Sequence, residues 1–274
     1  MVLKSYFDGS NQADRSEYDR MSIAAVCGTG KQWKRFDTDW NKVLYRHRAK
    51  YLHTTDAVSL QNDFAKEKGW TNRRVDLFID DCVDVIERHI TIPDGVPGRR
   101  PRAGLYPVTL TILFDDWVKA IKTVPALPNT IEELCATESL GFVFRWGKQI
   151  DAKKYEFHFD RGEKFYGHIH NRWTHPKAKK DIEMMKDVIS VDEVISMSVP
   201  ALQMADLFAW CINRAKQETR DWHIRLHKLP WRAPLLDYEH LIKPMPKVLE
   251  SIASWKLPRR KSSVANLSKP KRAT

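Results

Sequence analysis

Three aspartates stand where a carboxylate either turns a chain or holds a cation. Asp8 closes the apolar run Val2–Phe7 and is followed by Gly9 and Ser10, which allow close backbone approach. Asp160 closes Tyr155–Phe159 and is followed by Arg161, Gly162 and Glu163. Asp206 lies inside a helical stretch from Pro200 to about Gln217, in which Ala201, Ala205, Phe208 and Ile212 form an apolar stripe. It sits on the border of that stripe, at the angular position of Leu202 and Ala209, where a carboxylate costs free energy unless a donor or cation compensates it. Gln203, one turn earlier, could be such a donor or orient a ligand. A divalent metal compensates better, because it holds several carboxylates together against their mutual repulsion. Taken singly, a strand-end Asp is ordinary turn chemistry and Asp206 could pair with Arg214. The combination points to metal chemistry.

The elements that must position these residues read as a mixed α/β domain. Val2–Phe7 and Ser22–Cys27 form a strand pair across a polar loop, the second strand ending at Gly28-Thr29-Gly30. A third strand is expected over Gln32–Phe36, with Asp37-Thr38-Asp39 capping a basic helix from Trp40 to about Arg48. Residues 55–68 suit a short helix. Between Asn72 and Ile90, Val75, Phe78, Ile79, Cys82, Val83, Ile86 and Ile90 recur at helical spacing. Pro93 to Pro107 is a basic loop carrying Arg99, Arg100 and Arg102. Further strands are expected at Val108–Phe114, Tyr155–Phe159 and Ile195–Val199. Helices are expected near Ile131–Leu140 and Glu163–Asn171, with Pro200 at the favoured first position of the last one. The domain is expected to span residues 1–255, with a loop-rich insertion at about 92–150.

The chain has 274 residues, 42% hydrophobic and 30% charged, with 10 Trp, 11 Phe and 8 Tyr, which excludes a disordered or fibrous protein. Mean hydropathy is −0.51, and no apolar run approaches the ~20 residues of a membrane span. Asp8 falls where a signal peptide needs an apolar stretch. Cys27, Cys82, Cys135 and Cys211 lack zinc or CxxC spacing. A cytoplasmic protein with reduced thiols and no membrane association is expected.

The formal charge is +11. Seven Lys and Arg with no acid fall in residues 251–274, leaving +4 for the rest. The segment 256–274, with Arg259, Arg260 and Lys261, reads as a disordered basic arm suited to a polyanion or to solubility. Lys34 and Arg35, with Lys31, Trp33, Trp40 and Arg46, mix cations and aromatics as a nucleic-acid surface does, although an ordinary amphipathic element has the same composition.

Other signals fail on their spacing. Ala25 to Gln32 misses both diagnostic ends of a phosphate-binding P-loop. His168 and His170 diverge on a helix, and no serine or thiol triad has support.

Tyr6-Phe7-Asp8-Gly9-Ser10, Phe157-His158-Phe159-Asp160-Arg161-Gly162-Glu163 and Val199-Pro200-Ala201-Leu202-Gln203-Met204-Ala205-Asp206-Leu207 occur in an order that resembles the ribonuclease H-like family catalogued as domain of unknown function 3800. The span covered is residues 6–210, and Gly9 stands where the family often has Glu or Asp. The resemblance implies a ribonuclease H-like sheet flanked by helices, with an acidic cluster where the first strand meets another strand and a C-terminal helix. It further implies two Mg2+ or Mn2+ ions about 3.5–4 Å apart, hydrolysing phosphodiester bonds of nucleic acid. Asp8 would bridge the metals, with Asp160 and Asp206 on either side. Glu163 and Asp56 compete for the fourth ligand, with His53 and Lys50 near Asp56, and Asp115 or Asp116 competes for the role of Asp160. The rival reading is a nucleic-acid-binding or interaction module on the same fold, without catalysis.

Overall fold

The computed structural model describes residues 1–10, 18–90, 104–124, 127–128, 130–175, 183–214, 219–229 and 235–242. The arginines at 99, 100 and 102 and the basic arm, including Arg259, Arg260 and Lys261, lie outside the described residues.

A six-stranded sheet in the order β5-β4-β1-β2-β3-β6 forms the centre. Its strands are β1 (Val2–Ser10), β2 (Arg20–Gly28), β3 (Tyr106–Leu113), β4 (Lys154–Asp160), β5 (Val188–Val194) and β6 (Leu235–Leu236). β1 pairs antiparallel with β2, and β2 with β3, while β4 runs parallel to β1, β5 to β4 and β6 to β3. β2 alone is reversed, so the carboxyl ends of the other five strands open on one edge of the sheet.

Alternation divides the side chains between two cores. Leu3 and Phe7 of β1 and Tyr155, Phe157 and Phe159 of β4 face α5 (Ile131–Gln149) and α6 (Lys164–Thr174). Ala24 and Val26 of β2 face α1 (Gly30–His47), α3 (Asn72–His89) and α7 (Pro200–Asn213), with α2 (Thr54–Val58) and α8 (Asp221–Lys228) on the same side. Asp8 follows Phe7 and Asp160 follows Phe159, so both point to the α7 side. The register pairs Phe7 with Phe159, which sets Asp8 and Asp160 side by side one step further on.

The structure corrects several expectations. Gln32–Phe36 is helical, not a strand. Trp33, Phe36, Trp40, Val43 and Leu44 are buried at helical spacing, and Thr29 closes a capping box with Gln32, so α1 starts at Gly30 and Asp37-Thr38-Asp39 lies inside it. The strand expected at Ile195–Val199 lies earlier, at Val188–Val194, whereas Ser196–Ser198 forms a short 3₁₀ turn. β5 lies at the sheet edge, burying Val188 and Val191 and exposing Asp192 and Glu193, which hides it from an apolar pattern. Residues 104–149 are not loop-rich: they supply β3, α4 (Phe114–Thr123) and α5. The helix expected near Ile131–Leu140 is α5, which runs on to Gln149; its second half is hard to delimit because the helix is buried nearly all round and its apolar residues lack a clear stripe.

A short helix, α9 (Tyr238–Ile242), packs Leu241 into the α5 side. Among the described residues, no helix is long and apolar enough to cross a membrane. All four cysteines are free and buried. Burial pushes the Cys27 thiol up to about 12, away from nucleophilic chemistry.

Candidate active site

The carboxyl ends of β1 and β4, the start of α6 and the middle of α7 meet at one sheet edge and bring Asp8, Asp160, Glu163 and Asp206 together. Asp8 is 6% exposed and Glu163 is 8% exposed. The charges felt by Asp8 come from Glu163, Asp206 and Asp160.

Each aspartate is oriented by donors on one oxygen. Asp8 Oδ1 accepts the Gly9 N–H at 2.8 Å. Asp160 Oδ1 accepts the N–H groups of Arg161 and Ser196, both at 2.9 Å, tying the β4 turn to the end of β5. Asp206 Oδ2 accepts the Thr54 N–H at 2.6 Å and the Thr54 hydroxyl at 2.7 Å. Among the described residues, Oδ2 of Asp160 and Oδ1 of Asp206 take no protein hydrogen bond, which leaves one oxygen of each for a ligand.

Glu163 enters from the N-cap position of α6, after a turn in which Gly162 adopts φ +91°. Its carboxylate reaches the Asp8 carboxyl and the Gly9 N–H. A Cβ at Gly9 would lie 3.0 Å from Glu163 Oε2 and 2.7 Å from the Phe165 ring. A side chain at position 9 would meet the Phe165 ring first and Glu163 next, so glycine fits there.

Crowding buried carboxylates makes their ionised forms costly. Burial, then the charge of Glu163, drives the Asp8 carboxyl well above its ordinary value. Burial also pushes Glu163 up to about 8. Asp206 is raised by burial as well, against the opposing effect of nearby His53 and of the two Thr54 donors. Both carboxyls of the Asp8–Glu163 pair are thus held towards their protonated forms.

The oxygen-only donor set suits a hard cation such as Mg2+ or Mn2+. Among the described residues, no three or more His, Cys, Asp or Glu side chains stand at metal-ligand spacing.

The remaining candidates separate clearly. His53 stands beside Asp206 with Nδ1 3.2 Å from the Asp56 carboxylate, so Asp56 serves His53 at the rim. Asp115 and Asp116 begin α4, after β3, and β2 separates them from β1. Ser10 ends β1 opposite Ser22 and gives no hydrogen bond to the carboxylates among the described residues. Gln203 is structural: its Oε1 accepts Trp40 Nε1–H and Leu52 N–H, both at 2.9 Å, and its Nε2 donates to the carbonyls of Ser196 and Met197. It fixes Leu52 two residues before Thr54. Lys34 and Arg35 are exposed on α1, but Trp33 and Trp40 are buried and cannot stack on a nucleic-acid base.

Thr54 is the residue that sequence reading passed over, because an uncharged side chain in a run of His, Thr and Asp carries no spacing signal. Fold and site together define an α/β protein with an acidic cluster where its first strand, a parallel neighbour and a late helix converge. Comparisons with protein-family models, curated proteins and solved structures find no match to this chain.

Proposed function

We propose that this chain is a divalent-metal-dependent nuclease of ribonuclease H-like fold that hydrolyses phosphodiester bonds of nucleic acid. The observation that carries the reading is the meeting of Asp8, Asp160, Glu163 and Asp206 from separate elements, with Asp160 and Asp206 each held by donors on one oxygen only. The mixed sheet flanked by helices supports it. Asp8, in the middle, would hold two Mg2+ or Mn2+ ions jointly, with Asp160 and Asp206 on either side and Glu163 as fourth ligand. Bound there, such ions activate a water and stabilise the leaving 3′ oxygen. The backbone and Thr54 donors fix the carboxylates before ligands arrive, as outer hydrogen bonds do at metal sites.

A non-catalytic nucleic-acid-binding or interaction module is the second reading, favoured by the lack of a ready ligand constellation among the described residues. Thermal melting under Mn2+ or Mg2+ titration, paired with nuclease assays on single-stranded and duplex DNA and RNA, separates the two. The nuclease reading expects metal-dependent stabilisation and cleavage in the wild type, with both lost in Asp8→Asn and Asp206→Asn while the variants stay folded. Cleavage that survives both substitutions would overturn the site. Metal stabilisation without cleavage of any substrate would leave the binding module.

A further inference from the structure

The peptide that joins His53 to Thr54 touches the acidic cluster directly, because its N–H is the donor that meets Asp206 Oδ2 at 2.6 Å. His53 stands at the N-cap of α2, yet its side chain caps nothing. Its Nδ1 is buried, 3.2 Å from Asp56 Oδ2, and is aligned for a hydrogen bond with no group. The imidazole as a whole is 44% exposed, so the edge that carries Nε2 is the open one. The carboxylate behind it is only 15% exposed. Asp237 and His240 are also three residues apart at a helix start, but both partners are exposed, as in an ordinary surface pair. His53 differs: one nitrogen is buried on a carboxylate, and the other opens beside four carboxyls. Among the described residues, Asp56 is its one carboxylate partner within 4 Å, so His53 borders the cluster without entering it.

Hydrolysis of a phosphodiester expels an alkoxide that needs a proton. The cluster is poorly suited to give one: carboxyls that hold a cation are ionised acceptors, and both Thr54 donors are already engaged by Asp206. Imidazole gives and takes protons near neutral pH, and a carboxylate behind one nitrogen aims the other at the reaction. We propose that His53, oriented by Asp56, is the general acid that protonates the leaving 3′ oxygen, a role that rests on the nuclease reading and deepens it. As the oxygen of the attacking water bonds to phosphorus, the bond from phosphorus to the 3′ oxygen breaks, and the Nε2 proton of His53 passes to that oxygen. The products are a 3′-hydroxyl and a 5′-phosphate. The water's proton goes to solvent, and solvent returns one to Nε2. Asp56 acts through His53, as a positioning residue.

Single-turnover cleavage by the full chain in Mn2+ tests the role on two substrates: an oligonucleotide, and the same oligonucleotide with sulfur replacing the bridging 3′ oxygen. A thiolate leaves without a proton, so only the oxygen substrate needs the acid. His53→Gln, close in size and unable to act as an acid, is expected to slow the oxygen substrate about 100-fold or more and the sulfur substrate little. Asp56→Asn is expected to give a smaller loss with the same selectivity. Both variants are expected to keep the wild-type melting temperature in chelator and the wild-type Mn2+-induced shift, which separates an acid from a metal ligand. A wild type that cleaves neither substrate would remove the nuclease reading and this role together. With an active wild type, undiminished cleavage of the oxygen substrate by His53→Gln, an equal loss on both substrates, or a lost Mn2+ shift would each overturn the assignment while leaving the nuclease reading in place.

Discussion

Glu163 concentrates the electrostatics of the acidic cluster. Its carboxyl ordinarily titrates at 4.5 and here at about 8, so the folded chain holds a proton that the unfolded chain releases. The unfolded state binds fewer protons across that window, and stability therefore falls as pH rises. The loss begins near 4.5 and is complete above about 8. One pKa unit corresponds to about 1.4 kcal/mol, so the decline from pH 5 to 8 in chelator amounts to a few kcal/mol. Urea unfolding across that range should show it, and Glu163→Gln, neutral throughout, should reduce the decline, leaving the part that the buried Asp8 and Asp206 carboxyls contribute. A wild-type curve already flat in chelator would mean that burial does not raise these carboxyls. Mn2+ should oppose the decline in the wild type, because cation binding expels the proton.

Much of this cluster was legible at the level of single residues. Strand-ending aspartates and a carboxylate in an apolar helix are local features with a local cost, and Asp8, Asp160 and Asp206 announce themselves through it. The choice of fourth ligand was not legible. None of Glu163, Asp56, Asp115 and Asp116 has a decisive spacing; the pairing of β4 directly with β1 sets Asp115 and Asp116 aside, and the contact with His53 sets Asp56 at the rim. Gly9 carried a hidden clue: the Phe165 ring and Glu163, both from the start of α6, crowd the place of its missing side chain.

Between elements, Gln203 is the tie. Its amide joins α7 to α1 through Trp40, to the segment before α2 through Leu52, and to the turn after β5. Gln203→Leu keeps the volume and leaves a buried indole N–H and a buried backbone N–H without acceptors. An unsatisfied buried group costs roughly 1–3 kcal/mol, so a loss of about 3 kcal/mol in chemical denaturation is expected, together with a smaller Mn2+-induced melting shift because Thr54 loses its anchor. Full retention of both would make the tie redundant. Most elements could be read from their periodicity, α3 above all. The start of α1 was also written in the chain, as the Thr29–Gln32 capping box, but the apolar run through Trp33 and Phe36 imitates a strand when read over five residues. β5 escaped because an edge strand buries only part of one face.

For the whole molecule, the excess of cations lies at the carboxyl end, where seven Lys and Arg face no acid in residues 251–274. If these neutralise phosphates of a bound duplex, removing residues 256–274 should flatten the log–log dependence of affinity on salt by up to about 6, near 0.9 for each contact. Filter binding at several salt concentrations measures the slope. An unchanged slope would remove the arm from the interface and return the task to the folded surface.

The position of the first strand also governs how this protein is made. β1 lies inside the sheet, and Val2 pairs with Lys154 while Leu3 pairs with Tyr155. At ribosomal speeds of about 5–20 residues per second, the second partner of β1 follows roughly 8–30 s after the first strand is made. Through that interval the nascent chain carries a β1–β2 hairpin with one open flank, rich in backbone donors and acceptors and prone to pair with a neighbour. Lys4 and Asp8 place charge on that strand while it waits. The same carboxylate that joins the acidic cluster in the finished protein is therefore expected to discourage premature association of that strand during synthesis.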